Sequence, residues 1–154
     1  MIQRKQTIFL LISALLSALT FCTPLMAFSL EGSKDIEMTL TALTFQTGGA
    51  PVTAPGTWYL IFFAAMATLM AFLAIFGYKN RKQQVRQCYS VILANALLIG
   101  SVALYAAAVL QAEGTAPIYK WGIALPVAAI AFDILAIRGI KHDEALVRAA
   151  DRLR

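Results

Sequence analysis

The sequence predicts an all-α membrane protein, a single domain folded as a four-helix antiparallel transmembrane bundle with a short β-strand or hairpin in its first periplasmic loop. Of its 154 residues, 60% are hydrophobic and 14% are charged, whereas soluble domains carry about a quarter charged residues. The apolar residues also fall in long blocks instead of amphipathic stripes. Blocks of this kind favour membrane spans over a soluble core.

The basic turn Tyr78–Arg86 fixes the predicted topology. It carries four cations between two apolar blocks, and cytoplasmic loops collect Lys and Arg. With this turn in the cytoplasm, only Lys34 and Lys120 fall on the other side, and both termini are cytoplasmic. Eleven of the 13 Lys and Arg then lie in cytoplasmic segments, namely Arg4, Lys5, Lys79, Arg81, Lys82, Arg86, Arg138, Lys141, Arg148, Arg152 and Arg154.

The first apolar block, residues 7–28, follows the basic start Arg4-Lys5 and is interpreted as a span or a signal peptide. The site Leu25-Met26-Ala27 is a weak cleavage signal, because Leu is large for the position three before a cut. The block is also about 20 residues long, which is enough to cross hydrocarbon. A retained helix is therefore the favoured interpretation.

The other predicted spans are residues 58–78, 89–110 and 118–137. Trp58 and Tyr59 at one end of the second span, and Tyr78 at the other, are typical of interfacial aromatic belts. Pro126 lies inside the fourth span and is expected to kink the helix or to free a carbonyl. The cytoplasmic tail, residues 138–154, is predicted to continue this helix or to bend at Gly139.

The periplasmic loop, residues 29–57, is acidic where the other flanks are basic. Ile36, Met38 and Leu40 alternate with polar residues, which is the period of a half-buried strand. Gly48-Gly49 and Pro51 mark a turn. We therefore expect a strand or hairpin over the outer mouth of the helices.

Asp133 is the one ionisable residue well inside a predicted span, and such carboxylates are candidates for function. It precedes Arg138 by five residues, which puts it about 7.5 Å from the cytoplasmic edge. Asn95 and Ser13 lie at a similar depth in their own spans, so we expect Asp133 to face Asn95 across helices. The cluster is either a proton or cation site of a transporter or an interhelical hydrogen-bond cluster with Arg138 compensating Asp133. The second interpretation is favoured, because Asp133 has no second acidic partner.

The sequence contains no catalytic set, and none of its motifs indicates a cofactor or a metal. Cys22 and Cys88 lie near opposite membrane faces, too far apart to form a disulfide. His142 is the one histidine, which excludes a bis-histidine haem. The net charge of +5 comes from cations that flank the apolar blocks. This pattern indicates topology signals and contacts to anionic lipid, not nucleic-acid binding.

Three segments carry a resemblance to a known family: the start Met1–Thr7, the turn Tyr78–Arg86 and the end Leu135–Arg154. Together they resemble the domain-of-unknown-function family numbered 4293, small four-span membrane proteins of the Bacteroidota. Ile137 and His142 stand where Asn and Lys are expected, so neither position is essential. The resemblance implies a bacterial inner-membrane protein with a retained first helix, and it brings no reaction or ligand.

Two functions remain open at this point. The first is a non-enzymatic accessory or assembly subunit that binds the bilayer and another inner-membrane protein or a second copy of itself. Its contacts to lipid or partner would come from the basic residues Arg81, Lys82, Arg86, Arg138, Arg148 and Arg152. The alternative is a small oligomeric transporter or channel that uses Asp133.

Overall fold

The computed structural model describes residues 5–30, 34–41, 43–45, 57–77, 80–113 and 116–152. This part of the chain is mostly helical and carries one small sheet. The elements, in chain order, are helix α1 (Lys5–Leu19) with a 3₁₀ turn (Thr20–Cys22), strands β1 (Met26–Leu30), β2 (Lys34–Met38) and β3 (Leu43–Phe45), helices α2 (Trp58–Phe76) and α3 (Arg81–Glu113), strand β4 (Pro117–Tyr119), a 3₁₀ turn (Trp121–Ile123) and helix α4 (Ala124–Arg152).

Each helix packs against two others: α1 against α2 and α4, and α3 against α2 and α4. Every helix buries one stripe of residues at helical spacing. The stripe of α2 is made of small side chains after its first member: Leu60, Ala64, Ala67, Ala71 and Ala74. Small residues at this spacing allow neighbouring helix backbones to approach closely.

The outward faces of the helices carry the large apolar side chains. Phe62 is 53% exposed, Phe76 is 65% exposed and Leu104 is 73% exposed. This arrangement, with small residues inside and large apolar residues outside, suits helices surrounded by hydrocarbon and not by water. Three helical stretches are long and apolar enough to cross a membrane: Trp58–Phe76, Arg81–Gln111 and Trp121–Val147. The first helix with its 3₁₀ turn, Gln6–Cys22, is apolar but shorter.

A sheet in the order β3-β2-β1-β4, with antiparallel pairs, lies at one end of the helices, which we call the sheet end. Ala27, in the central strand, pairs with Glu37 on one side and Ile118 on the other. The Lys120 ammonium lies 3.4 Å from a Glu37 carboxylate oxygen. The sheet therefore joins two connections that are distant in sequence, because β1, β2 and β3 lie between α1 and α2, and β4 lies between α3 and α4.

The sheet packs directly onto the helices. Met26 and Met38 are fully buried and belong to one apolar cluster with the sheet-end halves of α2 and α3, which contributes Leu60, Ala64, Leu98, Val102 and Ala106. Gly122 lies so close to the preceding connection that a Cβ there would be 2.3 Å from the Pro24 carbonyl oxygen. The sheet is thus fixed to the helices by buried contacts.

The strand predicted from the alternation around Ile36 is confirmed by β2. The predicted turn at Gly48-Gly49 and Pro51 lies outside the described residues. The spans predicted over residues 7–28 and 118–137 are not helical throughout, because residues 26–28 belong to β1 and Ile118-Tyr119 to β4. Pro24 has no backbone N–H to continue a helix, and β1 finds hydrogen-bonding partners on both of its edges.

Pro126 was predicted inside the fourth span, where it would kink the helix. It lies instead in the first turn of α4, because this helix begins only at Ala124. The N–H groups of a first turn have no intrahelical acceptor, so proline costs little there. The basic turn is also shorter than predicted. The Asn80 side chain accepts a hydrogen bond from the Gln83 backbone N–H at 3.3 Å, which caps α3 and makes Arg81 its first residue.

Of the two interpretations of the tail, the structure has the continuous helix: α4 runs without a break through Gly139 to Arg152. Gly139 is a point of close approach, where a Cβ would lie 3.0 Å from Gln6 Cγ. The Gln6 side-chain amide donates to the Gly139 carbonyl at 3.2 Å and to the Asp143 carboxylate. The Arg81 guanidinium donates to the Asp143 carbonyl at 3.3 Å. We call this end of the helices, where α1, α3 and α4 meet around Gln6, Arg81 and Asp143, the basic end.

Candidate functional site: a buried polar layer

Asp133 lies on the stripe of α4 that faces the other helices. The stripe repeats at helical spacing and is apolar apart from this residue: Ala129, Asp133, Ala136, Ile137 and Ile140. The Asp133 side chain is fully buried, with 0% of its surface exposed. Its position on the interior stripe, and not its depth alone, keeps the carboxyl group away from the surface of the helices.

The Ser13 hydroxyl of α1 lies beside the Asp133 carboxyl group, but without the geometry of a hydrogen bond. Neither carboxylate oxygen of Asp133 has a hydrogen-bond partner, and Ser13 Oγ has none either. Arg138, which was expected to compensate Asp133, has an exposed side chain and no hydrogen bond to the Asp133 oxygens. A buried carboxylate without a partner is costly.

Asn95 lies on the buried stripe of α3 and is also fully buried. Its side-chain amide donates to the Val91 carbonyl at 3.2 Å and to the Ser17 hydroxyl at 3.5 Å. Its Oδ1 has no partner. No hydrogen bond joins Asn95 to Asp133, whose two oxygens are both unpartnered. The two residues are instead connected through α1, where Ser13 and Ser17 lie one helical turn apart.

Ser17 therefore belongs to the polar layer, although the sequence analysis did not select it. Helix α1, its 3₁₀ turn and the extended residue that follows carry a column of buried hydroxyl groups that also includes Thr20 and Thr23. Thr20 Oγ1 donates to the Leu16 carbonyl at 3.0 Å and Thr23 Oγ1 to the Thr20 carbonyl at 3.4 Å. The spacing of four and three residues from Ser13 to Ser17 and Thr20 was the available signal, because it puts these three hydroxyl groups on one face of a helix.

The layer contains only oxygen as a candidate ligand atom with no partner: Ser13 Oγ, Asn95 Oδ1 and both Asp133 oxygens. Oxygen ligands suit hard cations and protons, whereas zinc, copper and iron–sulfur centres use His and Cys. Within the described residues, no group of three or more His, Cys, Asp and Glu could hold a metal ion. The chemistry available here is the binding of a proton or a hard cation.

The predicted basic residues have mixed surroundings at the basic end. Lys82, Arg86 and Arg138 are exposed, whereas Arg81 is half-buried and bonded to the Asp143 carbonyl. Arg148 and Arg152 lie in the last turns of α4, and their side chains are outside the described part of the structure. Arg81 therefore has a structural contact that the sequence did not indicate.

The other residues considered from the sequence lie apart from one another. Cys22 is exposed and Cys88 is buried, and both thiols are free. His142 is exposed on α4. Among the residues the structure describes, none of these three belongs to a group of His, Cys, Asp and Glu that could hold a metal ion.

Two comparisons with known proteins bear on this site. The model of a family described as a domain of unknown function, DUF4293, matches residues 2–153. No curated protein matches the chain. The family match therefore spans all four helices and the sheet, and it assigns no role to the polar layer.

Proposed function

This chain belongs to the DUF4293 family, and from that premise we propose that it is an integral inner-membrane protein of a bacterium of the Bacteroidota. In this proposal all four helices form an antiparallel bundle that spans the bilayer. The contrast between the buried Ala67 and Ala71 and the exposed Phe62 and Phe76 supports this proposal. Helices in membranes pack through small residues and present apolar residues to lipid.

The basic end is proposed to lie in the cytoplasm with both termini, and the sheet end in the periplasm. Positive charge near the spans favours the cytoplasmic side. Exposed aromatic residues also lie at the sheet end, with Trp58 73% exposed and Trp121 60% exposed. Trp is enriched at membrane interfaces, so these side chains support a membrane boundary beneath the sheet.

Within the membrane the protein is proposed to act as a non-enzymatic accessory or assembly subunit that binds another inner-membrane protein. One observation carries this proposal: α4 continues well beyond the basic residue Arg138 and there exposes Leu146 by 58% and Val147 by 46%. These apolar side chains follow Asp143 and Glu144 and precede Arg148. An amphipathic helix of this kind can bind the groove of a partner.

The test is affinity purification from native membranes of the tagged protein and of a double variant, Leu146→Gln with Val147→Gln. We expect one stoichiometric membrane partner with the unmodified protein, and about a tenfold loss with the double variant, as for an interface hot spot. Ala145→Gln, at an exposed neighbouring position, is the matched control and should retain the partner. If the unmodified protein is purified with no other membrane protein bound to it, the subunit proposal is contradicted.

A second candidate function, a small oligomeric transporter or channel, is favoured by the unpartnered oxygens of Asp133. Buried carboxylates of this kind mark ion pathways in membrane proteins. The expected observation is cation or proton flux in proteoliposomes that Asp133→Asn abolishes, from a homo-oligomer in which water reaches Asp133. Equal flux from the unmodified protein and the variant would contradict this function.

A further inference from the structure

We propose that the outer surface between α3 and α4 at the basic end binds the head group of one anionic phospholipid, through Lys141, Tyr89, Arg86 and Arg138. The inference rests on the proposed placement of the helices in the bilayer, and it is independent of the subunit and transporter functions. It concerns one phosphate group at one position, and not a general attraction of cations to lipid.

The centre of the site is a contact between Lys141 of α4 and Tyr89 of α3. The Lys141 ammonium donates to the Tyr89 hydroxyl at 3.2 Å and lies 5.7 Å from the centre of the Tyr89 ring. This contact restricts the long lysine side chain before a ligand binds, which reduces the entropy lost on binding. An ammonium has three donors and a phenol has one, so the pair has further N–H and O–H groups for a phosphate oxygen.

Two arginines stand one helical turn from this contact. Arg86 precedes Tyr89 by three residues on α3, and Arg138 precedes Lys141 by three residues on α4. Residues at this spacing are neighbours on the surface of a helix. Both arginine side chains are exposed. A guanidinium group binds phosphate through two parallel hydrogen bonds, so these residues add the donors that suit a phosphate best.

The cations of this surface have no carboxylate as a partner. In the part of the chain that the structure describes, Arg86, Arg138 and Lys141 form no ion pair. The acids that follow on α4, Asp143 and Glu144, are half-buried, and the Asp143 carboxylate accepts a hydrogen bond from α1. The positive charge is therefore left for an external anion. Basic pockets between membrane helices on the cytoplasmic side bind anionic lipid head groups.

Apolar side chains adjoin the cations on the side towards the sheet end, and they indicate a lipid as the source of the phosphate. Leu93 lies one turn beyond Tyr89 on α3 and is exposed. Ile134 lies one turn before Arg138 on α4 and is also exposed. The acyl chains of a phospholipid can cover these side chains, whereas a soluble phosphate cannot. The surface thus has a polar part and an apolar part in the order in which a phospholipid has them.

The test is native mass spectrometry of the full-length protein in non-ionic detergent, titrated with dioleoylphosphatidylglycerol and, separately, with dioleoylphosphatidylcholine. We expect phosphatidylglycerol to bind about tenfold more tightly. Lys141→Gln should weaken that binding about tenfold, the effect of losing one hydrogen bond to a charged group. Tyr89→Phe keeps the ring and removes the hydroxyl, and should weaken it about fivefold.

Lys82→Gln is the matched control, because it removes the same charge at the same end of α3. Lys82 is exposed and precedes Tyr89 by seven residues, which is about 10 Å along the helix. This separation exceeds the Debye length of about 8 Å at physiological ionic strength, so phosphatidylglycerol binding should stay within about twofold. Equal binding of the two lipids by the unmodified protein would overturn the proposal, as would equal losses in Lys82→Gln and Lys141→Gln.

Glycerol 1-phosphate distinguishes a lipid from a free phosphate, because it carries the phosphate without acyl chains. It should not displace phosphatidylglycerol, and complete displacement would overturn the proposal. If Lys141→Gln fails to fold, Tyr89→Phe and Arg138→Gln decide, because unchanged binding in both would exclude the site. A chain that is soluble without detergent would overturn the membrane placement together with the site, whereas a loss of lipid selectivity overturns the site alone.

Discussion

At the scale of single residues, Gly122 is the tightest point in the described structure of the connection between the sheet and α4. A Cβ at this position would meet the Pro24 carbonyl oxygen at 2.3 Å and the carbonyl carbon at 2.9 Å. These are backbone atoms, so the contact cannot be relieved by a change of rotamer. We expect Gly122→Ala to destabilise the protein by about 2–3 kcal/mol, the cost of overpacking, measured as a lower thermal midpoint in detergent.

Gly100→Ala is the control for this substitution. Gly100 lies inside α3, and a Cβ there has nothing within 4 Å, so the same change should stabilise the helix by roughly 0.5–1 kcal/mol. Ala96 and Gly100 lie one turn apart on α3 and are both exposed, whereas Ala67 and Ala71, one turn apart on α2, are buried. An equal effect of the two glycine substitutions would show that the contact with Pro24 does not limit packing.

Among elements, the junction between α1 and α4 at the basic end is formed by Gln6 and Gly139. The Gln6 amide donates to the Gly139 carbonyl at 3.2 Å. A Cβ added at Gly139 would lie only 3.0 Å from Gln6 Cγ. Alanine at position 139 gains helix propensity but displaces Gln6. We therefore expect Gly139→Ala to stabilise the protein more when position 6 is already alanine.

The measurement is a double-mutant cycle of Gln6→Ala and Gly139→Ala by thermal or chemical unfolding. Residues in contact show coupling energies of about 0.5–3 kcal/mol, and here the double variant should be more stable than the sum of the single effects. The pair Gln6→Ala and Gly100→Ala, with no shared contact, should be additive. Additive effects in the first pair would mean that the contact between Gln6 and Gly139 does not contribute to stability.

The element boundaries show which part of the fold the sequence can predict. The second span, predicted over residues 58–78, is α2 from Trp58 to Phe76, because aromatic residues and a glycine mark its ends locally. Residues 26–28 were equally apolar, yet they form a strand. Their pairing with Pro117–Tyr119 joins segments far apart in the chain, and no local period contains that information.

The polar layer was predictable to a similar degree. Counting residues from the predicted membrane edge selected Ser13, Asn95 and Asp133, and all three side chains are fully buried. Residue counting gives depth but not the rotation of each helix about its axis. The side chain that Asn95 bonds on α1 is Ser17, which residue counting did not select. That Asp133 faces Asn95 across helices stays a prediction.

At the scale of the whole molecule, the described ends of the helices differ in chemistry. The sheet end has the Lys120–Glu37 ion pair at 3.4 Å and a covering of backbone-paired strands. At the basic end, Lys141 donates to the Tyr89 hydroxyl at 3.2 Å. Positive charge that remains at one end of apolar helices sets their orientation during insertion. This asymmetry leads to a prediction about sidedness.

Single cysteines test that orientation, in a background with Cys22→Ser and Cys88→Ala. Thr41→Cys, on the exposed surface of the sheet end, should react with a membrane-impermeant maleimide in spheroplasts. Asn80→Cys, exposed at the start of α3, should react only after permeabilisation. A cysteine replacing the buried Ala71 is the control and should stay unlabelled in both conditions. Labelling of position 80 in intact spheroplasts would reverse the orientation.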